Sequence, residues 1–424
     1  MRNIKEIFDN TKGLYGYRII ENTVNSYELF FVHKDLETVR STDSKATYVT
    51  VYTEHDGRIG DSAFQIYQSM TEDDIKKKIE QAVARADLVS NEPYELVDKG
   101  ILEAGLPTNL DKYEPEELGR LIADAVYAAD TVPGGSINAL EIFIYKDVKH
   151  VINSRGVDKT QTVYRVMIEA IPTFTDDKQS VELYEDYRFT VFDPEKLTAE
   201  IAEKMREVAD RSKAQRPGKE LNINVVLRPH EIVRLASELA HDQGYGSIYM
   251  HANLHKEGDN LQEGDCDKLN ITMKAVIPGS ERSAYFDDDG AQLYDTEVIK
   301  DGVVCGSFGS NRFGQYLKVQ RPSGDLKCVS LGKGTLTDEE IKSEPYIDCV
   351  SMSGLQLDLY NDYIGGEIRL AYYFDGEKTV PVTGITMSAK LSEVLSSLRL
   401  SEKTDVSGAY EGPVRALLKK VSVL

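Results

Sequence analysis

The sequence predicts an α+β protein in two parts. Residues 1–215 are expected to form a duplicated antiparallel sheet-plus-helix domain, and residues 220–424 a mostly β, barrel-like domain. Three observations support this architecture. The first half contains an internal repeat, and the second half consists mainly of short strand patterns separated by turns. Between the halves, residues 212–219 read SKAQRPGK, a polar stretch in which Pro217-Gly218 breaks the preceding helix.

The repeat is visible in two hexapeptides and two helices. Residues 30–35 read FFVHKD and residues 142–147 read IFIYKD, an offset of 112 residues. The helices that follow are offset by 122 residues, with apolar stripes at Ile75, Ile79, Val83 and Ala86 and at Leu197, Ile201, Met205 and Val208. We therefore expect residues 20–95 and 137–212 to superpose, with about ten extra residues in a hairpin of the second copy.

Turn and capping signals place the elements of the first half. Asp56-Gly57 predicts a hairpin, because glycine tolerates the positive φ that such turns require. A helix over residues 71–89 begins with Thr71-x-x-Asp74, an imperfect capping box. A further helix begins at Asp193-Pro194. Between them, a helix that starts at Pro115 is expected to bury one face, formed by Leu118, Leu121, Ile122, Ala125, Val126 and Ala129.

The second half starts with a short buried strand, NINVVL, and a helix over residues 229–242. Strand patterns then dominate, and Asp301-Gly302 and Asp375-Gly376 are predicted hairpin turns. Short helices at about residues 337–343 and 390–398 interrupt the strands. Many short strands of this kind are typical of a curved or closed β structure.

Charge and cysteine content exclude several classes of protein. The chain has 50 Lys and Arg against 71 Asp and Glu, a formal net charge of −21, which argues against nucleic acid and anionic membrane surfaces as partners. None of its four cysteines lies in a CxxC pair, and no apolar stretch resembles a signal peptide or a membrane span. We therefore expect a cytoplasmic protein with reduced thiols.

Histidines and one cysteine form the most suggestive group for metal binding. These residues are His230, His241, His251, His255 and Cys266. His251 and His255 have helical i, i+4 spacing, but the surrounding segment lacks an amphipathic pattern. Only spacing supports any two of these residues, whereas zinc needs three or four converging ligands. The residues themselves therefore predict no metal, catalytic or cofactor site.

Two further motifs have simpler explanations. Asp287-Asp288-Asp289-Gly290 offers carboxylates for a hard cation, but it lacks the alternating ligands and terminal Glu of a calcium loop, so a turn is favoured. Gly332-Lys333 resembles part of a phosphate loop. Lys327 and Gly334 occupy positions that the Walker pattern reserves for Gly and Ser or Thr, so we reject this interpretation.

Several segments, in collinear order along nearly the whole chain, together resemble the TldD/PmbA family, the modulators of DNA gyrase. In the first half the matching text is VTVYTEHDGRIGDSAF followed by SMTEDDIKKKIEQAVARADLV. In the second half it is YFDDDGAQLYDTEVIKDGVVCGSF and EIRLAYYFDGEKTVPVTGITMSAKLSEVLSSL. The resemblance implies one of two branches. TldD-type subunits are zinc metallopeptidases with an H-E-x-x-x-H helix and a late Cys ligand, and TldE/PmbA-type subunits share the fold without these ligands.

This chain departs from the catalytic branch at each position that can be placed. With His241 as the second motif histidine, Ala236 and Ser237 stand where His and Glu belong. With His230-Glu231 as the first pair, Leu235 replaces the second His. The last cysteine is Cys349, so the C-terminal segment offers no late Cys. The resemblance therefore implies the TldE/PmbA-like branch, with zinc expected in a TldD-like partner rather than in this chain.

Three functions follow as hypotheses. The first is a non-catalytic subunit of a TldD-type zinc peptidase that acts on unfolded peptides or small proteins, a homodimer when it is alone. The second is a self-sufficient metallopeptidase with an atypical site formed by His241, His251, His255 and Cys266. The third is a homodimeric peptide-binding protein without protease activity.

Overall fold

A computed structural model describes residues 4–424, and residues 1–3 lie outside this range. The N-terminal half is one eight-stranded sheet with helices on one face. Its elements are α1 (Ile4–Asp9), β1 (Gly16–Val32), β2 (Asp35–His55), β3 (Arg58–Ile66), α2 (Glu72–Ala86), β4 (Gly100–Gly105), a 3₁₀ turn (Leu110–Lys112), α3 (Pro115–Ala128), β5 (Gly135–Asn153), β6 (Val157–Thr175), β7 (Ser180–Glu182), β8 (Glu185–Phe189) and α4 (Pro194–Arg211).

The strand order confirms the predicted duplication. Strands run β3-β2-β1-β5-β6-β4, and β7 and β8 also pair with β6. Two antiparallel units, β3-β2-β1 and β5-β6-β8, therefore meet through the antiparallel pairing of β1 with β5. Each unit continues into one helix, α2 in the first and α4 in the second.

The residue offset of 112 between the copies is wrong. FFVHKD covers the end of β1 and the turn at His33-Lys34, whereas IFIYKD lies inside β5. The strands β2 and β6 begin 122 residues apart, as the helices α2 and α4 do, so no ten-residue insertion separates strands from helix. The error arose because alternating apolar strands resemble one another at many shifts, since their side chains repeat every two residues.

Local signals place the helices correctly. Thr71 and Asp74 form a complete capping box at α2, and the Asp193 carboxylate accepts a hydrogen bond from the Lys196 backbone N–H at 3.0 Å. Helices α3 and α4 pack on Leu140, Ile142, Val166, Ile168 and Ala170 of the sheet. Leu121 is exposed, contrary to expectation, because it lies at the margin of the apolar stripe of α3.

The C-terminal half contains two sheets and five helices. Its elements are β9 (Leu221–Leu227), α5 (Pro229–His241), α6 (Tyr245–Tyr249), β10 (Ile271–Lys274), β11 (Thr296–Lys300), β12 (Val303–Val304), α7 (Asn311–Tyr316), β13 (Cys328–Leu331), α8 (Asp338–Ile341), β14 (Tyr346–Asp358), β15 (Tyr363–Phe374), β16 (Thr379–Val382), β17 (Ile385–Lys390), α9 (Leu391–Leu395), β18 (Arg399–Leu400), β19 (Thr404–Ser407), β20 (Tyr410–Pro413) and β21 (Ala416–Val423).

The predicted barrel is confirmed. Strands β14, β9, β21, β17 and β15 pair in that order, and β15 pairs back with β14, which closes a ring of five strands. The second sheet has the order β12-β11-β10-β13-β20-β19. Helix α5 contributes Ile232, Leu235 and Leu239 to the large core that both sheets share. Among residues 4–424, no helix is long and apolar enough to cross a bilayer.

Residues 212–220, where the domain boundary is predicted, form neither helix nor regular strand between α4 and β9. The two halves nevertheless contact each other through buried charges. Arg228 in the C-terminal half donates to Glu207 of α4 at 2.6 Å and to both Asp348 oxygens at 2.9 and 3.1 Å. Because Glu207 is only 2% exposed, loss of Arg228 would leave its carboxylate in a water-poor site with Lys204 as the remaining ion-pair partner.

We predict that Arg228→Met lowers the free energy of unfolding by about 3 kcal/mol, since removal of Arg228 leaves half-buried Asp348 without its partner and Glu207 with Lys204 alone. Urea denaturation of the purified protein measures this change. The matched control is Lys403→Met, which removes an ion pair with Asp338 at the surface and should hardly move the midpoint. Equal midpoints for the two variants would contradict the prediction.

Candidate functional site

Helix α5 is the element where the resemblance would locate catalytic ligands. Pro229 lies in the first turn of α5. Apolar residues at i, i+3 and i+4 spacing along the helix are buried in the C-terminal core, namely Ile232, Leu235, Ala236, Leu239 and Ala240. The opposite side of the helix faces outward, so His230, Arg234, Glu238 and His241 are exposed. The helix therefore has a packing face and a solvent face, as the sequence predicts.

The residues at the motif positions do not fit a zinc ion. Ala236 is a buried methyl group in the core, and Ser237 offers a half-buried hydroxyl. His241 is exposed at the end of the helix, and its ring centroid lies 6.3 Å from that of Phe308. One imidazole without a second nitrogen or thiolate donor beside it cannot form the three- or four-ligand set that zinc requires.

The alternative pair, His230 and Glu231, forms a local contact. His230 Nδ1 lies 3.2 Å from Glu231 Oε1, which raises the pKa of the exposed imidazole against the opposing effect of burial. The Glu231 side chain itself is only 4% exposed. Leu235, one turn further on, points into the core, so no second ligand follows on this face.

Asp242 holds one of the loop histidines, His255. Its buried carboxylate accepts the backbone N–H groups of Leu254 and His255 at 2.6 and 3.0 Å, and His255 Nδ1 lies 3.0 Å from it. Burial opposes ionisation, but these hydrogen bonds prevail and lower the pKa of Asp242. Helix α6 ends at Tyr249, so His251 and His255 do not share a helical face. His251 has a φ of 55° and is exposed.

Cys266 is also held locally, with its Sγ 3.7 Å from the carbonyl oxygen of Gly264. Within residues 4–424, no three His, Cys, Asp or Glu side chains lie close enough together to hold a metal ion. The group of histidines and Cys266 that stands out in the sequence is therefore not brought together by the fold.

The C-terminal segment does reach α5. Strand β20 pairs with β13 in the sheet on which α5 packs, and β20 and α5 contact each other. Tyr410 of this strand is buried, and its hydroxyl donates to the Pro413 carbonyl at 3.1 Å. Helix α5 and the C-terminal segment thus meet in this chain, where the ring of Tyr410 and the aliphatic side chains of α5 belong to one core.

The Asp287–Gly290 turn has a structural role, as favoured from the sequence. Asp287 accepts the backbone N–H groups of Asp289 and Ala291 at 2.9 Å and of Asp325 at 3.1 Å. Its two neighbours pair with bases of the N-terminal sheet: Asp289 with Arg18, and Asp288 with Lys149. Buried Lys159 donates to the Gly290 carbonyl at 2.8 Å.

This turn is a further contact between the halves, and Phe286 packs beneath it against Ile20, Val151 and Val157. No sequence signal connects these partners, because Arg18 and Asp289 are separated by 271 positions. From the sequence, only the acidic side of this contact can be identified, as a run of three Asp residues.

We predict a pH dependence of stability at this turn. Burial, with a smaller contribution from Asp289, raises the pKa of Asp287 to about 6. The folded protein therefore binds this proton more tightly than the unfolded chain, so Asp287 destabilises the fold above pH 6 and the penalty is relieved as the pH falls. From pH 7 to pH 5 the wild type should gain about 1 kcal/mol relative to Asp287→Asn.

Urea denaturation of both proteins at the two pH values measures this difference, and Asp375→Asn, at an exposed turn, is the control for other titrating groups. A free energy of unfolding that changes equally with pH in the wild type and in Asp287→Asn would contradict the assignment.

The comparisons with known proteins agree with this architecture. Residues 223–424 match the family model of the PmbA/TldA metallopeptidase C-terminal domain. TldE from Thermococcus kodakarensis shares the fold with a TM-score of 0.79 and 15% sequence identity, over 99% of this chain and 98% of that chain. A proposed modulator of a DNA gyrase from Thermotoga maritima has a TM-score of 0.76 and 15% sequence identity, over 99% of each chain. A proposed modulator of DNA gyrase from Bacteroides thetaiotaomicron has a TM-score of 0.78 and 13% sequence identity, over 99% of this chain and 97% of that chain.

No curated protein matches the chain. The family model covers the closed barrel, α5 and the sheet beside it, and the shared fold extends over the N-terminal half. On these findings, residues 223–424 carry the PmbA/TldA metallopeptidase C-terminal domain, and the whole chain shares the fold of TldE and of the two gyrase modulators.

Proposed function

We propose that the protein is a TldE/PmbA-like, non-catalytic subunit of a TldD-type zinc metallopeptidase that acts on unfolded peptides or small proteins. The observation that carries the proposal is the composition of α5. Ala236 and Ser237 occupy the positions of a zinc ligand and a general base, inside a fold that is otherwise complete. Without those groups this chain cannot activate water by the family's route.

Several features support this role over an atypical peptidase. A self-sufficient site would need His241, His251, His255 and Cys266 to converge on one ion. Asp242 binds His255, and Cys266 contacts Gly264 instead. A homodimeric peptide-binding protein is the second candidate. Both candidates expect the isolated chain to form a homodimer, so a homodimer alone does not distinguish them. The two differ in whether a ligand-bearing partner is required.

An exposed apolar patch in the C-terminal half is the surface we assign to the partner subunit. It consists of Met250, Leu254, Tyr360 and Tyr363, whose exposed fractions are between 37% and 65%. The Tyr360 hydroxyl donates to the Ala252 carbonyl, which fixes the β14–β15 turn beside the loop that follows α6. Large apolar side chains exposed on two segments that contact each other, on a chain with a net charge of −21, favour a specific protein interface.

The first prediction concerns metal content. The chain purified alone should hold no stoichiometric zinc and hydrolyse no unfolded peptide, because its α5 lacks the donors. Elemental analysis and a fluorogenic casein assay measure both quantities. About one zinc per chain, lost in a His251→Ala variant, would overturn the proposal in favour of the self-sufficient peptidase.

The second prediction concerns association. We expect the isolated chain to sediment as a homodimer at micromolar concentration and to form a heterodimer when a TldD-type chain is added. Met250→Asp combined with Tyr360→Asp should shift both equilibria at least tenfold towards monomers, because it places charges in an apolar contact. Leu88→Asp, at an exposed apolar position of the N-terminal half, is the control. A wild-type monomer that gains no mass with the partner would leave the subunit proposal without support.

A further inference from the structure

The N-terminal sheet has one face that no helix covers. Directly opposed residues of antiparallel strands share a face, so the registers Glu28–Phe143–Met167 and Ser26–Tyr145–Arg165 place these side chains together. The other face carries Leu29, Ile142 and Ile168 and is covered by α3 and α4. We call the uncovered side the open face. Its apolar members are Val24, Phe30, Phe143, Tyr145, Val163 and Met167.

These six side chains are half-buried, yet none belongs to a hydrophobic core of the described residues. The contacts of the aromatic members are with each other and with arginines. The rings of Phe30 and Phe143 meet edge to face with centroids 5.7 Å apart, and Phe143 stacks on Tyr145 at 6.3 Å. Arg165 lies 3.9 Å from the Tyr145 ring centroid, a cation–π contact.

The arginines of the open face are fixed by ion pairs. Arg40 Nε donates to Glu28 Oε2 at 2.6 Å, and Ser26 donates to the other oxygen of the same carboxylate. Arg165 Nε donates to Asp147 at 2.5 Å. Polar contacts therefore hold the apolar side chains of the open face in position without a ligand, which lowers the entropic cost of binding one.

The C-terminal half borders this face. Glu281, whose side chain is 7% exposed, contacts both Arg165 and Arg188 across the boundary. At the adjoining end of the sheet, Asp288 pairs with Lys149. The C-terminal half thus lies along one side of the open face, and an open sheet face with such a border can accept an extended chain.

The charges on the open face that have no ion-pair partner are negative. Glu141 and Glu169 are cross-strand neighbours, and neither forms an ion pair within residues 4–424. Burial, together with Glu169, raises the pKa of Glu141 against the opposing effect of Arg40. The other acids of the face are already paired with Arg40, Arg165 and Arg188.

We infer that the open face binds extended, unfolded peptide segments in which aromatic or aliphatic side chains alternate with Lys or Arg. The apolar side chains would pack on Phe30, Phe143 and Tyr145, and a basic side chain would pair with Glu141 and Glu169. This inference deepens the proposed function, since it names the substrate class and places its binding surface in the N-terminal half.

The test uses fluorescence anisotropy of the full chain with two labelled 12-residue peptides, one of Phe, Val, Lys and Gly and one with Glu in place of each Lys. The Lys peptide should bind at least tenfold more tightly. Phe143→Ala should weaken its binding at least fivefold. Glu141→Gln combined with Glu169→Gln, which removes no packing, should reduce the preference for Lys at least fivefold.

Val39→Ala is the matched control, because Val39 is exposed on the opposite face of the same sheet and should leave both affinities unchanged. A Lys preference that persists in the double Gln variant would reflect the overall negative charge and would overturn the inference. So would undiminished binding by Phe143→Ala. Self-association lost in Phe143→Ala would instead assign the face to a second copy of the chain, again contradicting the inference.

These outcomes are separable from the proposed function. Peptide binding is measured on the isolated chain, so it does not require a TldD-type partner. If the peptides bind but no partner associates, the subunit proposal fails and the inference stands. If a partner associates but the open-face variants bind peptides normally, the inference fails alone.

Discussion

The antiparallel pairing of β1 with β5 is the interaction on which the N-terminal half depends. It runs without interruption from Arg18 opposite Asn153 to Val32 opposite Ala139. Each duplicated unit alone would expose one long unpaired edge, and the pairing satisfies both edges at once. The resulting continuous sheet has one face buried by helices. Its other face is covered at one end by the Asp287–Gly290 turn and is open at the other.

The C-terminal half pairs its strand edges by closing a sheet into a ring. Closure of β14 on β15 leaves the five-stranded ring without a free edge, and α5 packs between that ring and the second sheet. One side of α5 packs in the core, where Ala236 is buried. We propose that α5 stabilises the fold of this chain and that another subunit catalyses peptide hydrolysis.

The sequence predicted what is encoded locally. Asp56-Gly57, Thr71 with Asp74, and Asp193-Pro194 each act over a few residues, and the structure confirms all of them. The repeat was recognised, but its offset was wrong, because similar strands align at several shifts. The open face could not be predicted, since it depends on the register that sets Glu28 opposite Phe143, and the pairing of Arg18 with Asp289 has no local signal.

The central claim is that this chain contributes to proteolysis only through a partner. The most direct measurement is the rate of unfolded-peptide hydrolysis by a TldD-type chain, titrated with this protein at constant zinc. The account predicts negligible rates for either chain alone and a rate that rises to saturation near equimolar ratio. A partner that is fully active alone and unaffected by this protein would contradict the account.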